Sequence, residues 1–314
     1  MQPRAARIRI GISGWRYPPW RGVFYPRDLP QRLELAYASN VFPTIEINGS
    51  FYSLQPPASW AAWYAVTPEK FVFSIKGPRY ITHMLKLQAI EQPLANFFAS
   101  GLFLLKEKLG PILWQFPPWW SFDPARFERF LALLPHDTEG ALRLARRRHP
   151  RMFGRSHLAI DRPRPLRHAV EIRHPSFLDA RFIGMLEENR VALVLAETAR
   201  TWPMVRDMTA DFVYLRLHGD RKMYQSGYGP KSLDRWAGRI LAWREGGEPS
   251  DMPPGTVRVA PQGPFARGGR DVFCYFDNTD LKLRAPADAR GLLERLGLAR
   301  AYDPRALMES LRAA

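Results

Sequence analysis

Eight apolar runs recur along the 314-residue chain, close to residues 8–14, 44–48, 71–76, 111–115, 169–173, 191–197, 212–218 and 272–277. Each is short, rich in β-branched and aliphatic residues, and too continuously apolar for a strand with one wet face, so each reads as a strand buried on both sides. The stretches between them carry helical signals: 29–42, 57–66, 177–189 and 232–244, then 123–134, which opens on an Asp-Pro helix start, and 290–296 after the last run. Strand and helix in alternation predict an α/β fold, a single-domain (β/α)8 barrel of the TIM type with loop insertions. Two stretches are read as insertions: 138–167, rich in basic residues, and 245–270, rich in Gly and Pro.

In such a barrel, function sits at the carboxyl ends of the strands. Those ends carry Glu46, Asn48, Lys76, Gln115, Glu171, Arg173, His174, Glu197, Arg216, His218, Asp277 and Asn278. Residues two apart on a strand share a face, so Glu46 with Asn48, Ser74 with Lys76, Glu171 with Arg173, Arg216 with His218, and Tyr275 with Asp277 point together. An unpaired buried polar group costs roughly 1–3 kcal/mol and a lone charge more. Any one pair reads equally well as a salt bridge between strands; their recurrence predicts a shared polar pocket.

Composition supports one large domain, since 46% hydrophobic content supplies an ample core. The first seven residues, Met-Gln-Pro-Arg-Ala-Ala-Arg, run into the first strand without an apolar leader, and no apolar run is long enough to span a bilayer, so a soluble, cytoplasmic protein with no membrane partner is expected. Cys274 is the one cysteine and falls inside the last strand, which excludes an intrachain disulfide and points to a buried structural thiol. Asn48-Gly49-Ser50 has the form of a glycan acceptor but sits at a strand end, where it reads as site or turn.

A net charge of +16 and a pI near 10.4 invite a nucleic-acid reading. Of 46 basic residues only eight are Lys, however, and an Arg bias of this kind follows genome composition as readily as binding. Distribution is the better guide: nine arginines with His149 and His157 stand against the single acid Asp161 between 143 and 167, either a solvated loop or the footprint of a polyanion. Aromatic residues interleave with arginines after strand one, from Gly14-Trp15-Arg16-Tyr17 to Tyr25-Pro26-Arg27, and Trp119 and Trp120 follow strand four; both sets suit ligand stacking or packing at the barrel mouth. After strand seven, Arg221, Lys222, Tyr224, Ser226, Gly227 and Gly229 precede a helix, where a barrel often cradles phosphate, and where a flexible lid fits as well. No nucleotide-cofactor motif is present.

Several of these segments together resemble a known family. Ile10-Gly11-Ile12-Ser13-Gly14-Trp15, Glu46-Ile47-Asn48 with Phe51-Tyr52, Lys76-Gly77-Pro78-Arg79-Tyr80, Trp114-Gln115-Phe116-Pro117-Pro118, Glu171-Ile172-Arg173-His174-Pro175, Tyr214-Leu215-Arg216-Leu217-His218-Gly219 and Tyr275-Phe276-Asp277-Asn278 are similar to the domain of unknown function 72 (DUF 72), or YecE-like, family. The resemblance runs from residue 8 to about 297 and implies a barrel fold without implying a reaction. Glu197 stands where such sequences commonly have Asp, and the Arg-rich insertion is longer than usual for them.

Acids at Glu46, Glu171, Glu197 and Asp277 balance bases at Lys76, Arg79, Arg173 and Arg216, with His83, His174 and His218 besides. A purely acidic metal cage would not carry so many cations. The balance suits an anion gripped by Arg and Lys while a carboxylate or imidazole moves a proton. The expectation is therefore a phosphate-bearing ligand, with a nucleic-acid or nucleotide phosphodiester first and its hydrolysis as a candidate activity. Lys76, Arg79, Arg173 and Arg216 would hold phosphate; Glu171 and His218 would act as acid and base, with Glu46 and Asp277 completing the catalytic set. Trp15, Asn48, Gln115, His174, Tyr224, Ser226, Gly227 and Asn278 would shape the ligand site. A single divalent metal on Glu46, Glu171, His218 or Asp277 stays open, although no paired-histidine motif appears. A glycoside hydrolase, a sugar-phosphate isomerase or lyase, and a non-enzymatic anion or nucleic-acid binder remain as alternatives.

Overall fold

Eight parallel strands close on themselves: β1 (Ile8–Ser13), β2 (Thr44–Ile47), β3 (Val72–Lys76), β4 (Leu109–Gln115), β5 (His168–Glu171), β6 (Ala192–Glu197), β7 (Phe212–Leu217) and β8 (Asp271–Phe276). Each strand pairs with its neighbour in sequence, and β8 returns to β1 with Val272 opposite Ile8, so the sheet has no edge and forms the (β/α)8 barrel that the sequence predicts. The computed structural model describes residues 6–266, 268–278 and 282–313. Most of the N-terminal run-in that the sequence reads as leaderless, residues 1–5, and position 267 within the 245–270 stretch lie outside the described residues.

The lumen is filled by unequal partners. Phe212, Tyr214, Phe273 and Tyr275 on β7 and β8 face Ala169, Ala192, Val194 and Ala196 on β5 and β6, so large rings fit against small residues across the barrel. The Tyr275 hydroxyl lies 2.8 Å from Thr44 Oγ1 and 2.6 Å from Ser74 Oγ, which satisfies three buried polar groups within the packed core. Ser74 and Tyr275, grouped by the sequence with pocket residues, thus belong to this layer. Cys274 faces the other way, fully buried in the outer core.

Helices cover the outside. Asp123 caps the helix Pro124–Leu133 by accepting from the Arg126 amide at 3.1 Å, and Asp179 caps Ala180–Glu188 from the Arg181 amide at 2.7 Å. A helix that the apolar pattern does not signal, Glu91–Ala99, lies between β3 and β4. Its Pro93 obscures the pattern but sits in the first turn, where a missing amide hydrogen costs little. None of the helices among the described residues is long and apolar enough to cross a membrane.

Both insertions are more ordered than loops. Just before 138–167, Asp137 accepts from the Gly140 amide at 2.6 Å to start a helix, Thr138–Ala145, which buries Ala141 and Ala145 and packs on Glu91–Ala99. The chain then passes the amino ends of the strands, where Arg167 donates to Asp271 at 2.7 Å and Arg164 pairs with Asp161. Within 245–270, Thr256–Val257 adds to Met204–Val205 as a two-stranded parallel sheet, and Asp207 accepts from the amides of Val259 and Ala260 at 2.9 and 2.8 Å. The Gly- and Pro-rich excursion is thereby strapped to the crossover between β6 and β7.

Candidate functional site

Arg216, on β7, stands at the centre of the barrel's carboxyl end and is 1% exposed. A buried guanidinium needs several acceptors, and the neighbouring strands provide them. Its Nη2 donates to Glu46 Oε1 at 2.9 Å and to Asp277 Oδ2 at 3.1 Å, its Nη1 to Glu171 Oε2 at 2.7 Å, and its Nε to Glu46 Oε2 at 3.2 Å. Glu46 also accepts from the hydroxyls of Ser13 at 3.0 Å and Tyr214 at 2.7 Å. Burial alone would raise the pKa of Glu171, but Arg173 and Arg216 outweigh it and hold the carboxyl well below its ordinary range. Asp277 is likewise held low, burial being outweighed by His218 and Arg216.

Above this floor opens a cavity of about 630 Å3 lined by Asn48, Phe51, Tyr52, Lys76, Arg79, His83, Gln115, Trp119, Arg173, Tyr224 and Asp277, among others. Asp277 is the floor acid that reaches it, with its side chain 23% exposed against 0% for Glu46 and 1% for Glu171. Lys76 Nζ sits 4.2 Å from the centre of the Phe51 ring, and burial, with Arg216 next, lowers its pKa to about 8. Gly77, directly after it, is fixed by close approach: a Cβ there would lie 2.4 Å from Cε3 of the buried Trp114. Arg173 donates from Nε to Glu171 Oε1 at 2.8 Å while its guanidinium stacks 3.8 Å from the Trp202 ring centre.

One histidine borders the cavity and a second lies behind it. His83 takes a long bond from Gln115 Nε2 at 3.4 Å and lies 2.8 Å from Thr82 Oγ1, and burial with Lys76 and Arg173 lowers its pKa to about 4. His218 is fully buried, and burial with Arg216 also lowers its pKa. Its Nδ1 is 3.3 Å from Asp277 Oδ2 but poorly aligned for a hydrogen bond, and the Tyr224 ring lies 5.1 Å away as a cover. Tyr224 takes this position with a left-handed backbone, φ 61°, a conformation that non-glycine residues adopt at a cost. Asn48 Oδ1, a buried acceptor on the cavity wall, has no donor among the described residues.

The structure therefore gathers Glu46, Asn48, Lys76, Arg79, Gln115, Glu171, Arg173, Arg216, His218, Tyr224 and Asp277 into the floor and walls of one site. Other expected residues stand elsewhere. Trp15 packs in the outer core against Trp63 at 5.2 Å and Phe73 at 6.4 Å. His174 caps the turn Pro175–Phe177 by accepting from the Ser176 amide. Ser226 Oγ accepts from the amides of Arg221 and Lys222, both at 3.0 Å, and so organises its own loop. Gly227 lies against Arg284 and Asp288, and Asn278 donates to Asp288 Oδ2 at 2.8 Å and to the Ser226 carbonyl at 3.1 Å, which ties that loop to the last barrel helix. Glu197 faces outward on β6, accepts from Trp236 Nε1 at 3.1 Å, and has its pKa raised by burial. It lines a second cavity of about 560 Å3 with Thr198, Arg200 and Trp202, reached by Arg173 from the first.

Sequence reasoning missed Phe51 as the surface beneath Lys76 and left His83 out of the ligand set. The signal for both was their place in loops directly after β2 and β3. The carboxylates named as metal candidates, Glu46, Glu171 and Asp277, converge on the guanidinium of Arg216, which takes the place a divalent ion would need, and no group of three or more acidic, His or Cys side chains among the described residues is arranged to hold a metal. A metal on this set does not fit.

Comparison with known proteins agrees with the architecture. A Bacillus subtilis protein named UPF0759 protein YunF is 33% identical over 119 residues, 36% of this chain and 41% of that protein, so the match spans less than half of the relative. A crystal structure of a DUF72 family protein from Thermotoga maritima superimposes with a TM-score of 0.66 at 20% identity, covering 93% of this chain and 99% of the other. One from Enterococcus faecalis gives 0.62 at 18% identity, covering 94% and 97%. At these identities the superpositions speak for the fold alone. The family model described as "Protein of unknown function DUF72" matches residues 9–309, and the chain belongs to that family.

Proposed function

We propose that the barrel mouth binds a small phosphate-bearing molecule and moves a proton on it. The observation that carries this reading is the charge of the cavity wall. Lys76, Arg79 and Arg173 border one cavity, while Glu46, Glu171 and Asp277 all accept from Arg216 beneath it, Asp277 being the one of the three whose side chain reaches the cavity. Cations held this way favour an anion. Asn48 Oδ1, buried and without a donor, favours a ligand that also carries a hydroxyl, as a sugar phosphate does. Asp277, with His218 behind it at 3.3 Å, is the group suited to take and return a proton.

A small molecule is favoured over a polymer. The cavity of about 630 Å3 has the size of a small-molecule site, and Arg164 and Arg167 of the basic insertion are anchored at the amino ends of the strands, away from the mouth. A nucleotide, free or at a strand end, is the second reading. It is supported by Tyr52 and Trp119, which are 67% and 56% exposed at the rim and lie within cation–π distance of Arg79 and Lys86, at 5.3 and 5.0 Å.

Thermal shift at fixed salt with glycerol 3-phosphate, dihydroxyacetone phosphate, mononucleotides and a single-stranded oligonucleotide tests both. The expected result is a rise in Tm with the three-carbon phosphates, lost in Arg79→Ala. A rise with nucleotides alone would favour the second reading, and no rise with any phosphate compound would remove both.

A further inference from the structure

Two lysines are buried among the described residues, and they are treated differently. Lys108, 4% exposed, donates to the carbonyls of Tyr64 and Thr67, both at 2.7 Å, and to Thr67 Oγ1 at 3.2 Å. That is how a structural ammonium is kept in a core. Lys76 is 9% exposed, yet its Nζ makes no hydrogen bond or ion pair among the described residues, and its one close contact is the face of Phe51. Carboxylates are near, but each is taken: Glu46 and Asp277 by Arg216, Glu171 by Arg216 and Arg173. With no protein acceptor fixed at Nζ, the ammonium of Lys76 is favoured less than that of Lys108, and its neutral form, which carries a free lone pair, is correspondingly easier to reach.

We propose that Lys76 is a nucleophile, and that the barrel mouth forms an imine between its Nζ and the carbonyl carbon of a small phosphate-bearing aldehyde or ketone. The phosphate part of this inference rests on the proposed anion site; the covalent step rests on Lys76 alone. The neutral amine adds to the carbonyl carbon, a C–N bond forms as the C=O π bond breaks, and the carbonyl oxygen takes up a proton from solvent. The resulting carbinolamine loses that oxygen as water while the C=N bond forms, leaving a protonated iminium and no net change in oxidation state. No cofactor is consumed. The iminium draws electrons from the adjacent carbon, so Asp277, open to the same cavity, can accept a proton from it as the electron pair moves onto nitrogen to give an enamine.

The environment suits this role. Desolvation together with a neighbouring cationic group activates a lysine amine, and here burial acts first and Arg216 next, with Arg173 in the same direction and Glu171 and Glu46 opposing. His83 and Asp277 also face the amine electrostatically. Near pH 7.5 an amine that titrates at about 8 is unprotonated roughly 200-fold more often than an ordinary lysine.

The test is reductive trapping on the full chain. The protein is incubated with dihydroxyacetone phosphate and sodium borohydride at pH 7.5, and the modified lysine is located by peptide mass mapping. Glycerol 3-phosphate, which has the phosphate and no carbonyl, serves in a parallel thermal shift. The expected result is a reduced adduct at Lys76 at least tenfold above any solvent-exposed lysine, with a yield that climbs as pH rises through about 8 and vanishes in Lys76→Arg. A thermal shift with both phosphates but no adduct at Lys76 would overturn the imine and leave the anion site standing. An adduct at Lys76 without a shift from glycerol 3-phosphate would uphold the imine and remove the phosphate grip. Neither shift nor adduct would overturn both. Because mapping is done on the unaltered protein, a variant that fails to fold does not decide the outcome.

Discussion

Arg216 shows how one residue can set the chemistry of a whole pocket. Its guanidinium neutralises the floor carboxylates and adds to the field that depresses the amine of Lys76. Arg216→Met should cost about 3–5 kcal/mol in urea unfolding at pH 7, because Glu46 and Glu171 would remain buried without their shared partner. The deficit should shrink as pH falls. Without Arg216, the folded-state pKa of Glu171 rises, so the folded variant binds a proton more readily than before and gains stability relative to its neutral-pH value. A deficit independent of pH would mean that lost packing, and not uncompensated charge, is the cause. At this scale much was legible in the sequence, since charged residues two apart at the end of an apolar run have few explanations other than a pocket. What could not be read was which polar residues look inward. The run 191–196 is apolar throughout, so nothing in it sets the parity of β6, and Glu197 points out because Ala196 takes the inward place beside Arg216.

Elements position these side chains through contacts that the sequence does not announce. Gly77 permits β3 to pass Trp114, and Gly77→Ala should destabilise by about 1–3 kcal/mol while moving Lys76, since the added Cβ meets a ring that is fully buried. The same tryptophan donates from Nε1 to His168 Nδ1 at 3.1 Å, and His168 Nε2 in turn donates to the Pro135 carbonyl at 2.8 Å. Burial lowers the pKa of His168 to about 4, below its ordinary 6.5. The unfolded chain therefore binds a proton that the folded chain does not, and stability present above pH 6.5 is lost as pH falls towards 4. The loss is on the order of 2–3 kcal/mol. Denaturant unfolding between pH 7 and 4.5 should show it, with a shallower fall in His168→Gln; an equally steep fall would assign the effect to other groups. The helix Thr138–Ala145 illustrates why an element can be hidden: Arg143 and the arginines that follow the helix dominate the reading of the segment, while its small buried face, Ala141 and Ala145, carries little apolar signal.

The whole molecule separates its two basic features. The fold that apolar rhythm predicts sends strand ends to one rim, while Arg164 and Arg167 of the returning basic insertion are anchored at the other, so these two arginines do not add to the charge of the pocket. Replacing exposed Arg143, Arg146 and Arg147 with Gln should weaken salt-sensitive retention of an oligonucleotide by roughly an order of magnitude at most, and should leave the thermal shift with three-carbon phosphates unchanged. If the small-ligand shift falls with the insertion, the two features act together and the separation is wrong.

We propose above that the mouth of this barrel is an anion site for a small molecule. Calorimetric titration of the full chain with glycerol 3-phosphate, at two salt concentrations and beside the Arg79→Ala variant, measures it most directly. The account predicts saturable binding at one site per chain that survives the change in salt and weakens about tenfold or more in the variant. Absence of saturable binding, or binding that disappears with salt and is indifferent to Arg79, would contradict it.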